Sequence, residues 1–207
     1  MAEYRRRLPH FHPDGEHLFV TWRLHGSLPV APLDVIYATP GHRFAVEDRA
    51  LAQSHARLWM SDPRVARQVV EAIRTGESRK LYELHAWVVM PNHVHMLILP
   101  HVPLPQITHW IKGRTAREAN LLLKRTGEPF WQHESWDHWV RNEREFHRIV
   151  AYIEENRFRQ GWLARLGLGH GQAPHRQAKA CPTEASTLRK QRVLLDFFDL
   201  RGVACGM

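Results

Sequence analysis

Leu84-His-Ala-Trp-Val-Val-Met-Pro-Asn-His-Val-His-Met-Leu-Ile-Leu-Pro100 reads as two apolar, β-prone runs folded back at Pro91-Asn92, a dipeptide suited to a tight turn. Residues two apart on a strand point to one face. His93 and His95 therefore project side by side, and Val94 faces the other way. Two neutral imidazoles in that arrangement are half of a metal site. A polar pair inside an apolar strand is costly unless something satisfies it. The spacing alone identifies nothing, because the chain carries 16 histidines in 207 residues and repeats the pattern at His10-Phe11-His12. The strand context and a reactive group elsewhere have to carry the reading.

Outward from the hairpin, the periodicity predicts further elements. Leu18 to Leu24 is a strand, and Leu81 to Met90 and His93 to Leu99 are the hairpin strands. Phe44 to Met60 reads as an amphipathic helix, and a second helix starts at Pro63 and ends at Gly76 with Val65, Val69, Val70 and Ile73 on one face. Pro105 to about Arg125 is helical with Gly113 as a break, Phe130 to Val140 is a short strand and loop, and Asn142 to Gln160 is a strongly periodic helix. Residues 1–16 read as a basic arm. Residues 1–165 are expected to form one domain, and 166–207 a linker and tail with at most one short helix, over 188–200. The order fits an α+β protein with one antiparallel sheet and helices on one face.

Net charge is +8 and the pI about 10.1, a balance that favours polyanionic partners. Arg5, Arg6, Arg7, Arg23, Lys112, Arg114 and Arg117 are interleaved with Tyr4, Trp22, His25 and Trp110. Cations for phosphates beside flat rings for bases is what single-stranded nucleic acid requires. Eight tryptophans are more than a core of this size needs. No apolar run is long enough to span a bilayer, and Met1 to Arg7 lacks a hydrophobic signal core. Cys181 and Cys205 have no metal spacing and read as reduced thiols in a cytoplasm.

Tyr152 and Asn156 are four apart on the last predicted helix and share a face. A tyrosine hydroxyl can fill core volume or attack a phosphodiester, and with an unperturbed pKa of about 10 the attack needs help. His93, His95 and the side-chain oxygen of Asn156 form a mixed nitrogen and oxygen set, which suits Mn²⁺ or Mg²⁺ and not a thiolate zinc site. His85, His101, His109, His133 and His138 are rival ligands.

Five strings occur in order: Tyr4-Arg-Arg-Arg-Leu-Pro-His-Phe11, Phe19-Val-Thr-Trp-Arg-Leu-His-Gly-Ser-Leu-Pro29, Val88-Val-Met-Pro-Asn-His-Val-His95, Phe130-Trp-Gln-His-Glu-Ser-Trp-Asp-His-Trp-Val-Arg141 and Tyr152-Ile-Glu-Glu-Asn156. Together they resemble the REP-associated tyrosine transposases, a branch of the single-tyrosine, IS200-like HUH transposases, from about residue 4 to 163. The resemblance implies a ferredoxin-like (RRM-like) antiparallel sheet with helices packed on it, the HUH endonuclease fold. It implies metal-dependent cleavage and rejoining of single-stranded DNA near hairpins of repetitive extragenic palindromes, through a 5′-phosphotyrosine. It assigns His93 and His95 as metal ligands, Tyr152 as nucleophile and Asn156 as the assisting ligand. It places the protein in a bacterial cytoplasm, on the nucleoid, as monomer or homodimer. Asn156-Arg-Phe-Arg-Gln-Gly161 departs from the family's usual Asn-Pro-Val-x-Ala-Gly. Two competing functions are a hairpin-DNA binder without turnover and a hydrolase in which water attacks. Only the transposase reading forms a covalent protein–DNA adduct.

Overall fold

The computed structural model describes residues 2–5, 9–12, 15–28 and 40–160. The chain divides into two units, residues 1–27 with 55–174 and residues 28–54 with 175–207. The expected boundary at 165 and the helix over 188–200 lie outside the described residues.

The first unit is built on a sheet of four strands: β3 (Leu18–Arg23), β4 (Tyr82–Val89), β5 (His93–Pro100) and β6 (Trp136–Trp139). Their order is β4-β5-β3-β6, with every neighbouring pair antiparallel. With α2 (Pro63–Ser78) before β4, α3 (Leu104–Leu122) between β5 and β6, and α4 (Glu143–Gln160) last, the connectivity is β-α-β-β-α-β followed by a helix. This is the ferredoxin-like α+β arrangement. Ahead of it, β1 (Ala2–Arg5) and β2 (Pro9–His12) pair as a two-stranded antiparallel ribbon, where the sequence reading expected only an arm.

Alternation along the strands sorts the sheet into two faces. Leu18, Val20 and Trp22 of β3 and Val94, Met96 and Ile98 of β5 meet Val65, Val69 and Ile73 of α2 and Leu104, Ile107 and Ile111 of α3 in one buried core. The other face carries Phe19, Thr21, His93 and His95, and α4 packs there against β4 and β5. The helices thus occupy both faces, not the single face expected. A one-residue bulge in β4, between Leu84 and Ala86, turns the His85 ring onto Phe146 of α4.

The second helix begins as expected. Asp62 caps it by accepting a hydrogen bond from the Arg64 N–H at 2.9 Å, and Pro63 occupies the first turn, where a missing donor costs nothing. Gly76 does not end it, since α2 runs on to Ser78. The glycine instead lets the Tyr82 ring lie against the helix backbone, and a Cβ at residue 76 would fall within that ring. Tyr82 cannot swing away easily, because its hydroxyl donates to the Ile73 carbonyl at 2.6 Å. Gly76→Ala should therefore be destabilising. A helix-propensity gain of about 1 kcal/mol opposes an overpacking cost of about 1–3 kcal/mol, here at its upper end because the ring is tethered. A lower denaturant midpoint at unchanged slope is the expected readout. A midpoint at or above wild type would show that the ring yields.

Two other helical expectations change. The helix predicted over Phe44–Met60 is α1 (Pro40–Gln53), in the second unit. It starts earlier and ends seven residues sooner. In the first unit Arg57 adopts a left-handed backbone (φ 55°), and Trp59 opens a short 3₁₀ turn with its ring stacked on Phe130 at 5.5 Å. Tertiary packing of Trp59 overrides the local helical pattern. Gly113 does not break α3, which is continuous from Leu104 to Leu122.

Candidate nuclease site

His93 and His95 lie on β5, an interior strand paired on both sides. Their rings are 4.7 Å apart between centroids, and ligand nitrogens of the two lie within 4.8 Å of each other. Both are buried, at 1% and 0% exposure, so each needs its polar atoms satisfied. Asn92 Oδ1 sits 2.6 Å from His93 Nδ1, and an amide oxygen only accepts, so that nitrogen carries the proton and Nε2 the lone pair. Thr21, directly across the ladder from His95, places Oγ1 2.7 Å from His95 Nδ1. A proton on that nitrogen likewise puts the lone pair on Nε2. Side chains that orient ligand imidazoles in this way fix which nitrogen faces the metal.

The second half of the site arrives on α4. Asn142 caps this helix by accepting from the Glu145 N–H at 2.9 Å, and Glu145 reaches back to accept from the Arg141 N–H at 2.8 Å. The pair resembles a capping box, with the return bond going to the residue before the cap instead of to the cap itself. Ile149 and Ile153 are buried, and Tyr152 on the adjoining stripe is half-buried. Its hydroxyl stands 3.5 Å from His95 Nε2, with ring centroids 5.4 Å apart. Phe19 walls both, stacked on His95 at 5.6 Å and edge-on to Tyr152 at 6.1 Å. Asn156 is half-buried one turn beyond Tyr152 and takes no part in these contacts.

Two imidazoles side by side on a rigid strand, with ligand nitrogens within 4.8 Å of each other, could hold a metal ion, and a phenol stands beside them. Asn92 and Thr21 were not singled out from sequence. Asn92 had a visible signal, a short amide next to a ligand histidine at a turn. Thr21 had none, because its place opposite His95 exists only once β3 and β5 are in register.

The rival histidines are employed elsewhere. His101 contacts the Lys80 carbonyl at 3.2 Å and Glu83 at 3.3 Å. His85 lies against His17 at 4.7 Å, and burial lowers the pKa of both imidazoles. His109 and His133 line a cavity of about 370 Å³ between α3 and residues 128–137. His138 pairs with Glu145 at 2.8 Å.

The basic residues divide. Arg23 stands opposite His93 on β3, on the same sheet face. The Lys112 ammonium donates to the carbonyls of Gln132 and His133 at 2.6 and 2.8 Å, which ties the segment before β6 to α3. Arg114 and Arg117 are exposed, on the helical layer across the sheet from the histidines. The Arg114 guanidinium lies 5.9 Å from the centre of the Trp110 ring, which Arg79 also approaches at 5.5 Å. Arg5 is on β1, and Arg6 and Arg7 fall outside the described residues.

No helix among the described residues is long and apolar enough to cross a membrane. Residues 52–156 match the family described as "Transposase IS200 like", a span that contains His93, His95, Tyr152 and Asn156. A REP-associated tyrosine transposase of Escherichia coli K12 is 30% identical over 88 residues, which are 41% of this chain and 50% of that protein. The chain thus spans about half the length of that curated relative. Among solved structures, a REP-associated tyrosine transposase bound to a REP hairpin aligns with a TM-score of 0.44 at 20% identity, covering 82% of this chain and 80% of the other. A Deinococcus radiodurans R1 protein assigned as a transposase aligns with a TM-score of 0.35 at 17% identity, covering 73% and 98%.

Proposed function

Because the chain belongs to the family of IS200-like transposases, we propose that it is a single-tyrosine enzyme that cuts and rejoins single-stranded DNA at sites marked by hairpins of the REP type. The observation that carries this reading is the Tyr152 hydroxyl 3.5 Å from Nε2 of His95, beside His93. A binder without turnover has no use for a phenol poised there.

In the first step the Tyr152 oxygen forms a bond to phosphorus and the bond from phosphorus to the 3′-oxygen breaks. The leaving oxygen takes a proton and departs as a 3′-hydroxyl, and the phenol proton is lost to solvent. The product is a 5′-phosphotyrosine, which conserves the bond energy. The 3′-hydroxyl of another strand then attacks phosphorus and expels Tyr152, so joining needs no nucleotide cofactor. Residues of this chain prepare the attack. Phe19 and the capped helix fix the phenol ring, and Asn92 and Thr21 hold the two imidazoles. His93 and His95, with Asn156 as the candidate third donor, would hold Mn²⁺ or Mg²⁺. Such an ion supplies polarisation of phosphorus and screening of the phosphate charge. The test is a denaturing gel of wild-type protein incubated with Mn²⁺ and a hairpin-bearing single strand labelled on the 3′ side of the cut. A slow protein–DNA band is expected, and cleavage without such a band would favour attack by water.

Binding is attributed to Arg23, to Arg114 and Arg117 on α3, and to the N-terminal cations Arg5, Arg6 and Arg7. Replacing Arg114 and Arg117 together should lower the slope of log affinity against log salt by about 1.4, at about 0.7 per single-strand phosphate contact. Lys112→Met should leave the slope alone and lower stability instead, since it frees two carbonyls. An unchanged slope in the arginine double variant would put the DNA away from α3.

A further inference from the structure

The first turn of α4 holds a part-buried histidine–carboxylate hydrogen bond that the chemistry above does not use. His138 Nε2 and Glu145 Oε1 are 2.8 Å apart, with side-chain exposures of 14% and 13%. The second carboxylate oxygen accepts from the Arg141 N–H. Glu145 is thus held through both oxygens, one to the edge strand and one to its own helix cap. The His138 bond and the Arg141 N–H outweigh burial and hold its carboxyl below the usual range. His138 is itself fixed. It stands opposite Phe19 on the ladder, hence on the face of the histidine pair, and its ring is stacked on Trp136 at 5.7 Å and 9°. The next residue along, Phe146, is gripped by the rings of His17 and His85 at 5.0 and 5.2 Å.

Glu145, Ile149, Tyr152 and Asn156 are spaced four, three and four, which is one stripe of a helix. Glu145 and Tyr152 are seven residues apart, roughly 10 Å along the axis. A contact that fixes Glu145 therefore fixes the rotation of the stripe that carries the phenol. Side chains reach about 5–6 Å from a helix axis, so turning α4 by ~20° would move the hydroxyl by roughly 2 Å. A misplacement of about 1 Å can lower a rate by about 10²-fold.

We propose that His138 and Glu145 are positioning residues, a clamp between β6 and α4 that sets Tyr152 against His95. The proposal rests on Tyr152 as the nucleophile, and the test separates the two. The full chain is labelled with 3-fluorotyrosine and read by ¹⁹F NMR. There are four tyrosines, each assigned by its phenylalanine variant, and the buried Tyr82 serves as an internal control of folding. In Glu145→Ala the Tyr152 resonance should move toward the solvent-exposed position while that of Tyr82 stays. The kcat for adduct formation should fall about 10- to 100-fold, with KM for DNA within about threefold of wild type because phosphate contacts dominate binding. Glu145→Gln, which keeps an acceptor for Arg141 and can donate its amide N–H to His138 Nε2 once the imidazole proton sits on Nδ1, should recover most of the rate. His138→Phe, which keeps a ring over Trp136 and removes only the nitrogens, should move Tyr152 in the same direction.

An unmoved Tyr152 resonance in both Glu145→Ala and His138→Phe overturns the clamp, and so does a kcat within twofold of wild type once the resonance has moved. If Tyr82 moves as well in Glu145→Ala, His138→Phe decides. Movement of Tyr152 alone supports the clamp, and none overturns it. An adduct that survives in Tyr152→Phe removes the nucleophile reading without touching the NMR result.

Discussion

Tyr152→Phe should yield a folded protein that binds the hairpin strand and forms no covalent adduct. The change removes one oxygen and keeps the ring that packs edge-on to Phe19. The lost contact is long, 3.5 Å to His95 Nε2, so its worth to stability lies at the bottom of the range of about 0.5–1.5 kcal/mol for a hydrogen bond. Loss of the nucleophile is total by contrast, because no other hydroxyl or thiol stands beside the histidine pair among the described contacts except that of Thr21, which is engaged with His95 Nδ1. Tyr82 is a poor substitute. It is committed to the Ile73 carbonyl, and burial, together with the charge of Glu77, raises its pKa well above the ordinary phenol value. The measurement is the denaturing gel on both proteins, with near-ultraviolet circular dichroism to establish the fold. A band that persists in the variant would assign the attack to another residue.

His93→Ala and His95→Ala should each abolish cleavage and Mn²⁺ binding while hairpin affinity stays within about threefold, because the cations proposed to contact phosphate are left in place. Chelation of the wild-type protein should reproduce the loss, and added Mn²⁺ should restore it to the wild type and to neither variant. Their effect on folding differs in kind from that of Tyr152→Phe. Each replacement leaves a partner, Asn92 Oδ1 or Thr21 Oγ1, buried without its imidazole, at a cost of about 1–3 kcal/mol. Calorimetric titration of Mn²⁺ separates a lost site from a lost fold. Cleavage at the wild-type rate in the double alanine variant would remove the metal assignment.

What could be read from sequence followed from periodicity. The alternation through His93 and His95, the spacing of Ile149, Tyr152 and Ile153, and the turn at Pro91-Asn92 are local, and all three elements are present. What could not be read depended on partners distant in sequence. Gly76 looks like a helix stop until Tyr82 is folded onto it. That Lys112 ties residues 132 and 133 to α3 through two carbonyls is invisible until those residues return to the helix. The bulge at His85 hides in an apolar run, since a strand with one extra residue keeps the same composition. Thr21 and His138 acquire roles only from ladder register. The family resemblance supplied what periodicity could not, the link between His95 on β5 and Tyr152 on α4, 57 residues later.

The strand order has one more consequence. β5 lies between β3 and β4 with both edges hydrogen-bonded, so its amides should exchange slowly with deuterium. α4, the last helix among the described residues, packs on one face of the sheet with its outer side exposed, where local openings should be more frequent. The imidazoles should thus ride on a slower-exchanging element than the phenol does. On the proposed mechanism, a Tyr152 loaded with DNA would then lift its strand away from the histidines and return while the imidazole pair behind it stays in place.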